Sequence, residues 1–445
     1  MIKSYGRPAL IVALIAGLCG PGAAAAQYSG PPTGIDLRES YRLLTTTYYS
    51  KVEPQQVLDG ARGALVKLVA FKHGKGKLAA LHAGTSEANV AAIQAEITKA
   101  AAQSHVSQTI ATYVAIDGMA RSLGDRYTAF FTPDQLKQFN AALDPAKISG
   151  IGVLIQPADS ATGFISAFYV VPGTPADSAG VQSGDVFTQI DGRSTKGMKT
   201  DDATKALRGK AGTNVSIQVE RDGKPLPQPI TITRADVQPP TVIYKTLGDN
   251  IGYIWILAFG QQTTGEFNVA LNRLQDSGAK AYVLDLRNDG GGYVNTALDI
   301  SDRFISNLPI VSVKEGGRTT TIEADNTAVP RKPMRILVNR YTASASEITA
   351  GALQDDGIAQ LVGEKTFGKG VVQTLTPLPD GAGIKITTAR YYTPKNRDIN
   401  LKGIVPDVSV TENKDARLSD PAHDAQLQAA LDLLQKQIAD SKGTT

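Results

Sequence analysis

The chain has 445 residues, with 46 Lys and Arg against 42 Asp and Glu, and its formal charge of +4 falls to +2 when Lys3 and Arg7 of the leader-like front are set aside. That length suggests two or three domains and allows a core to form without disulfides. The near-neutral balance gives no basic block dense enough to follow a phosphate backbone, and one cysteine among four histidines leaves no thiolate metal site.

Residues 1–26 read as a secretory leader: Lys3 and Arg7, then the apolar run ALIVALIAGLCG, then AAAAQ with its small residues. The run is short for a bilayer span, so cleavage near Ala26 and Gln27 is expected, and Leu18 before Cys19 is a poor match to a lipid-attachment site. The mature chain would then have no cysteine. A Gly/Pro-rich stretch follows over 27–35, and residues 27–146 form a mostly helical region. It contains VEPQQVLDGARGALVKLVAF and an Ala-rich stretch from Ser86 with apolar residues at three- and four-residue spacing. KHGKGK at 72–77 reads as a solvated turn.

Residues 147–237 are β-rich. GIGVLI, FISAFYVV, DVFTQIDG, VSIQVERDG and ITITR are short strands punctuated by Gly and Asp-Gly turns, with helical pieces at TPADSAG and TDDATKALRG. An exposed strand edge in such a module can accept an extended peptide. From 238 to 412 the pattern becomes βαβ alternation, with YVLDL and RILVN as central strands covered on both faces. KITTARYYTPK and PDVSV are expected at sheet edges, and 413–445 closes the chain with an amphipathic helix.

The chemistry-bearing stretch is YTASASEITAGALQDDGIAQLVGEKTFGKGVVQ, Tyr341–Gln373. Ser344 with Glu347 three positions on is a capping box, whose bland role is to satisfy helix N–H groups. The same position would expose a hydroxyl where backbone donors converge. DLRNDGGGY leaves a strand end, and its glycines permit close backbone approach, so a glycine N–H with that of Ala345 could hold an oxyanion. His73, His82, His105 and His423 all fall outside the α/β core, which makes a histidine base a distant alternative. Lys369 in FGKGVVQ can serve instead if burial keeps its amine neutral. Gln373, four residues on, would share its strand face and orient the amine without adding charge.

With DLRNDGGGY, these segments resemble the carboxyl-terminal processing peptidases, the Ser/Lys tail-specific proteases. The resemblance runs from about Leu37 to Val410 and includes GMARSLGDRYTAFFTP. GIGVLI and PGTPADSAGVQSGDVFTQIDG resemble a PDZ domain ahead of the catalytic core. The resemblance implies an α/β core of the ClpP/crotonase-like type, an inserted PDZ domain, and helical N- and C-terminal regions. It makes Ser344 the nucleophile, Lys369 the base and Gln373 its positioner. Ala345 and one glycine, with Gly291 preferred among Gly290 to Gly292, become the oxyanion donors.

Gly150, Ile151, Gly152 and Val153 would receive the substrate's terminal carboxylate. No cofactor, metal or nucleic acid is implied. Partners would be proteins with accessible C-terminal tails, an adaptor or regulatory lipoprotein, and a second copy of the chain, with at most peripheral membrane association. The setting would be the periplasm, with the PDZ domain gating the cleft. Two features depart from the family: the glycine loop lacks a proline that many relatives carry, and the Ala-rich insertion near 78–110 is long. A non-catalytic PDZ adaptor, a small-ester hydrolase and Ser346 as nucleophile are the rival readings.

Overall fold

A computed structural model describes residues 34–157, 163–325, 327–413 and 420–442, so the leader, its cleavage region and Cys19 lie outside the described residues. The chain divides into two compact units, one from residues up to Leu143 together with Tyr244 onward, the other Asp144–Ile243.

The first unit begins with helices Gly34–Thr46, Pro54–Phe71, Ser86–Ser104 and Gln108–Ser122. The Ala-rich pattern breaks because His105 adopts a left-handed φ of 51° that ends one helix. Ser107 then starts the next, its Oγ accepting from Ile110 N at 3.2 Å. Gly60 and Gly118 let Pro54–Phe71 and Gln108–Ser122 cross closely, since a Cβ on Gly60 would lie 2.5 Å from the Gly118 carbonyl oxygen.

Two sheets follow. One has six strands in the order Val242–Leu247, Ile251–Ile256, Ala281–Asp285, Met334–Val338, Gln360–Gly363, Val408–Ser409. The run from Ile251–Ile256 to Gln360–Gly363 is parallel, and helices Thr263–Asp276, Val294–Asp302 and Ala345–Asp355 are the crossovers. Every residue of Ala281–Asp285 and Met334–Val338 is buried, Asp285 and Arg335 included, as their near-continuous apolar runs predict. This is an α/β core flanked by helical termini.

The second sheet corrects one expectation. KITTARYYTPK is no edge strand: Gly383–Tyr392 pairs with Val371–Pro377 and also with Ala129–Phe131 and Pro309–Glu315. Its threonines Thr387 and Thr388 are buried. Thr387 N donates to Thr128 Oγ at 3.2 Å, and Thr388 Oγ bonds Thr374 Oγ at 3.2 Å. Val408–Ser409, from PDVSV, does end its sheet.

The closing helix Ala425–Lys442 buries Leu427, Ala430, Leu431 and Leu434 against Tyr253, Val283, Leu337 and Val362. Just before it, Asp424 grips the fully buried Arg287, with both carboxylate oxygens 2.7 Å from the guanidinium. Asp285 holds the same guanidinium from the other side and accepts from the Tyr253 hydroxyl at 2.7 Å. The glycine loop is thereby anchored at its root.

The second unit carries a seven-stranded sheet with Val153–Pro157 at one end of its order, and among the described residues it pairs only with Ile165–Val170, which leaves its other edge open. Phe187, Ile190, Ala203, Leu207, Val215 and Ile217 form its core.

Removing Arg287 leaves two buried carboxylates facing each other. Arg287→Met should therefore lower unfolding free energy by roughly 3–5 kcal/mol, read by urea denaturation; a loss within error would show that the C-terminal helix is not braced through this group.

Candidate active site

Three loops leave the carboxyl ends of neighbouring parallel strands, where open α/β sheets place their sites. They are 286–293 after Ala281–Asp285, 339–344 after Met334–Val338, and 364–370 after Gln360–Gly363. The first holds the glycines, the second ends at Ser344, and the third holds Lys369.

Ser344 is the N-cap of Ala345–Asp355, in a strained conformation with φ 62° and ψ −116°. In its capping box the Ser344 N–H donates to Glu347 Oε2 at 2.9 Å. The hydroxyl makes no hydrogen bond and is fully buried. The expectation of an exposed hydroxyl is thus corrected. Gly291 packs against the residue so closely that a Cβ on it would lie 2.9 Å from Ser344 Cβ and 2.8 Å from Ala345 N. A peptide carbonyl reaches this hydroxyl only when the surrounding segments give way.

Glu347 does far more than cap. Its Oε2 also accepts from Lys369 N at 2.8 Å, while Oε1 accepts from Gly368 N at 2.8 Å and Thr366 Oγ at 2.5 Å. One oxygen therefore ties the backbones of Ser344 and Lys369 together. Tyr391 repeats the link from the second sheet, its hydroxyl 2.6 Å from the Lys369 carbonyl oxygen and 3.1 Å from that of Ser344. The pairing of Ser with Glu was visible in sequence as a local cap; nothing in the spacing revealed its reach to residues 366–369.

Lys369 is fully buried, with Nζ 5.1 Å from the Tyr127 ring centre. Burial first, and then the charge of Lys385, push its amine well below the ordinary lysine range, against the opposing pull of Glu347 and Asp125. The strand after it starts at Val371, and its register shifts between Val372 and Gln373. The extra residue of that irregularity, Thr388, is on the partner strand, and Lys369 itself precedes the strand, so the alternation that the sequence argument invoked does not reach it. Gln373 is buried all the same, its Nε2 3.5 Å from Thr387 Oγ and its Oε1 without a hydrogen-bond partner.

On the glycine loop, Asp289 is buried, and its Oδ1 accepts the Gly291 N–H at 2.8 Å. Burial raises this carboxyl well above its usual range. The backbone oxygen of Asp289 accepts Ser346 Oγ at 3.1 Å, so the rival serine is engaged with a loop 57 residues away. The histidines lie elsewhere: His73 and His105 take left-handed conformations at helix ends, and His423 pairs with Asp420.

In the second unit, Gly150, Ile151, Gly152 and Val153 line a groove of about 260 Å³ with Thr204 and Leu207 of the helix Thr200–Leu207. Gly152 has φ 85°, and a Cβ there would meet Thr174 Cβ at 2.3 Å, so the loop at the groove's end requires glycine.

The family model described as Peptidase family S41 matches residues 250–410, and the one described as PDZ domain matches 169–221. A carboxyl-terminal-processing protease of Synechocystis sp. is 38% identical over 335 residues, covering 74% of this chain and 78% of that protein. The protein of that name from Picosynechococcus sp. is 38% identical over 328 residues, 72% of this chain and 78% of its own. The carboxy-terminal processing protease CtpA of Bacillus subtilis is 36% identical over 297 residues, 66% of this chain and 62% of its own.

Glu347→Gln keeps the shape but turns an NH2 toward N–H donors. It should cost roughly 1–3 kcal/mol of stability and lower kcat on a peptide substrate with little change in tail-peptide affinity. Unchanged kcat in a folded variant would show that the shared carboxylate does not set the site's geometry.

Proposed function

This chain belongs to the carboxyl-terminal-processing peptidases, and from that premise we propose that Ser344 is its nucleophile, Lys369 the general base and Gln373 the residue that orients the amine. It is a serine endopeptidase that acts on proteins with accessible C-terminal tails, and its PDZ domain captures the tail. The observation that carries the residue assignment is the common tie of Ser344 and Lys369 to one oxygen of Glu347, with the Ser344 hydroxyl left out of hydrogen bonding.

In a site opened to a peptide, the neutral Lys369 amine takes the Ser344 proton as Oγ attacks the scissile carbonyl carbon. The oxyanion that forms is held by Ala345 N–H and by Gly291 N–H, the latter after leaving Asp289 Oδ1. The lysinium returns its proton to the departing amine nitrogen, the C–N bond breaks, and an acyl-Ser344 ester remains. Lys369 then deprotonates a water that attacks the ester, and Ser344 Oγ recovers its proton. The unpartnered Gln373 Oε1 is an acceptor suited to hold an amine N–H without adding charge.

Tail capture follows strand addition at the open edge of Val153–Pro157, the terminal carboxylate meeting the 150–153 loop. We assign residues 147–237 to the PDZ domain, 238–412 to a peptidase core of the ClpP/crotonase-like type, and 27–146 and 413–445 to helical flanks. The leader-like pattern of residues 1–26 supports work in the periplasm, where an adaptor or regulatory lipoprotein and a second copy of the chain complete the proposed partners.

Ser344→Ala should abolish cleavage of an unstructured tail peptide and leave its binding intact, while amidating the peptide's C-terminus should weaken binding. Cleavage that survives Ser344→Ala, or esterase turnover indifferent to the tail carboxylate, would refute the assignment. The lysine gives a signed stability test. Its folded-state amine binds protons less readily than the unfolded one, so stability rises with pH from the folded value up to the ordinary lysine value near ~10.4, and neutral solution lies on the penalised side. Lys369→Met should be inactive yet raise the melting temperature at pH 7 by roughly a few degrees; a lower Tm would mean that the lysine is not held against its charge.

A further inference from the structure

A second lysine in the peptidase unit is almost wholly enclosed. Lys385 is 4% exposed and belongs to the strand Gly383–Tyr392. Across the sheet, Gln373 stands opposite Thr387 and Leu375 opposite Lys385. Residues two apart on a strand share a face, so Lys385 projects to the side where Thr387 Oγ meets the Gln373 amide. There its Nζ lies 5.4 Å from the Phe131 ring centre and 5.2 Å from that of Phe139.

Phe131 ends the short strand whose Ala129 pairs with Lys385, and Tyr127, just before that strand, lies under Lys369 Nζ. A single stretch, 125–131, thus carries aromatic support for both amines. Asp125 fixes its shape, accepting Tyr127 N at 2.5 Å, Thr128 N at 2.7 Å and Thr128 Oγ at 2.8 Å. This is the GDRYTAFF part of the sequence, which the reaction as described leaves without a role.

A positive charge on Lys385 opposes one on Lys369. Two ring faces within 6 Å favour the cation at Lys385, while the deeper Lys369 has one. The groups around Lys369 are Glu347 from the nucleophile helix, Asp125, Tyr127, Tyr391 and Lys385; around Lys385 they are Asp125 and Lys369. Burial brings Lys385 down to about 8, which leaves it charged at neutral pH, whereas Lys369 falls well below its ordinary range.

We propose that Lys385 is a positioning residue for the reaction: its ammonium, seated between Phe131 and Phe139, keeps Lys369 a free base and so sets the pH above which Ser344 can be activated. The inference rests on the reading of Lys369 as the base. No atom of Lys385 meets the substrate; it acts through the other amine.

The test is the pH profile of kcat/KM for cleavage of a tail peptide by the full chain, with folding checked by circular dichroism. Without the neighbouring charge Lys369 protonates more readily, so Lys385→Met should move the acidic limb of kcat/KM upward by about one pH unit, a loss of about tenfold at a pH on that limb. Lys385→Arg keeps a cation and should keep the wild-type acidic limb. A folded Lys385→Met enzyme with the wild-type limb overturns the proposal. Should that variant fail to fold, Phe139→Leu, which removes one ring from the ammonium, should shift the limb in the same direction by less, and an unmoved limb there is equally fatal. Activity in Lys369→Met would instead sink the base assignment itself, whatever the Lys385 variants do.

Discussion

One buried carboxylate organises this site. Glu347 receives Ser344 N, Lys369 N, Gly368 N and Thr366 Oγ, donors from two loops that are separate in sequence but adjacent on the sheet. Enclosing a carboxylate is costly, and burial does raise the Glu347 carboxyl above its usual range, while each of the four donors works against that rise. The return is geometric. A serine with φ 62° persists only where its surroundings over-determine it, and the N–H held by Glu347 together with the carbonyl held by Tyr391 does so from both ends of the residue.

The same clamp explains how a carboxylate can stand beside the proposed base, Lys369. Glu347 presents its oxygens to main-chain N–H groups and a hydroxyl, the arrangement that satisfies a carboxylate without a salt bridge. Its charge still pulls Lys369 toward protonation, but the pull is weaker than burial and the neighbouring Lys385 acting together. Tyr127 adds enclosure more than charge, because burial raises its phenol and keeps it neutral.

What the sequence could reveal follows from the range of each interaction. YVLDL and RILVN were legible because a strand covered on both faces must be apolar throughout, and the glycine loop and the serine helix follow from those strand ends. The proposed roles of Ser344, Lys369 and Gln373 rest on a family pattern and the scarcity of histidine. Three things were not legible. Gly383–Tyr392 read as an edge because threonines can be wetted or paired, and only the fold supplies Thr128 and Thr374 as partners. The shared face of Lys369 and Gln373 was not legible because Lys369 precedes the strand that starts at Val371, where alternation does not reach. The reach of Glu347, and the embrace of Arg287 by Asp424 from 137 residues away, are long-range pairings that no periodicity encodes.

The glycine loop shows how a site can be complete in its parts and still be closed. Gly292 lies against the chain at Phe259, where a Cβ would meet the carbonyl oxygen at 2.2 Å, and Gly291 lies against the nucleophile turn. Between these two contacts the loop has no room for a side chain and little for a substrate carbonyl. The N–H of Gly291 is satisfied by Asp289, as a buried donor must be. Burial holds that carboxyl toward its neutral form, and a neutral acceptor grips an N–H less strongly than a carboxylate does. In the proposed mechanism a developing oxyanion carries full charge, so it is the better acceptor of the two, and the Gly291 N–H is a donor that a tetrahedral intermediate can win.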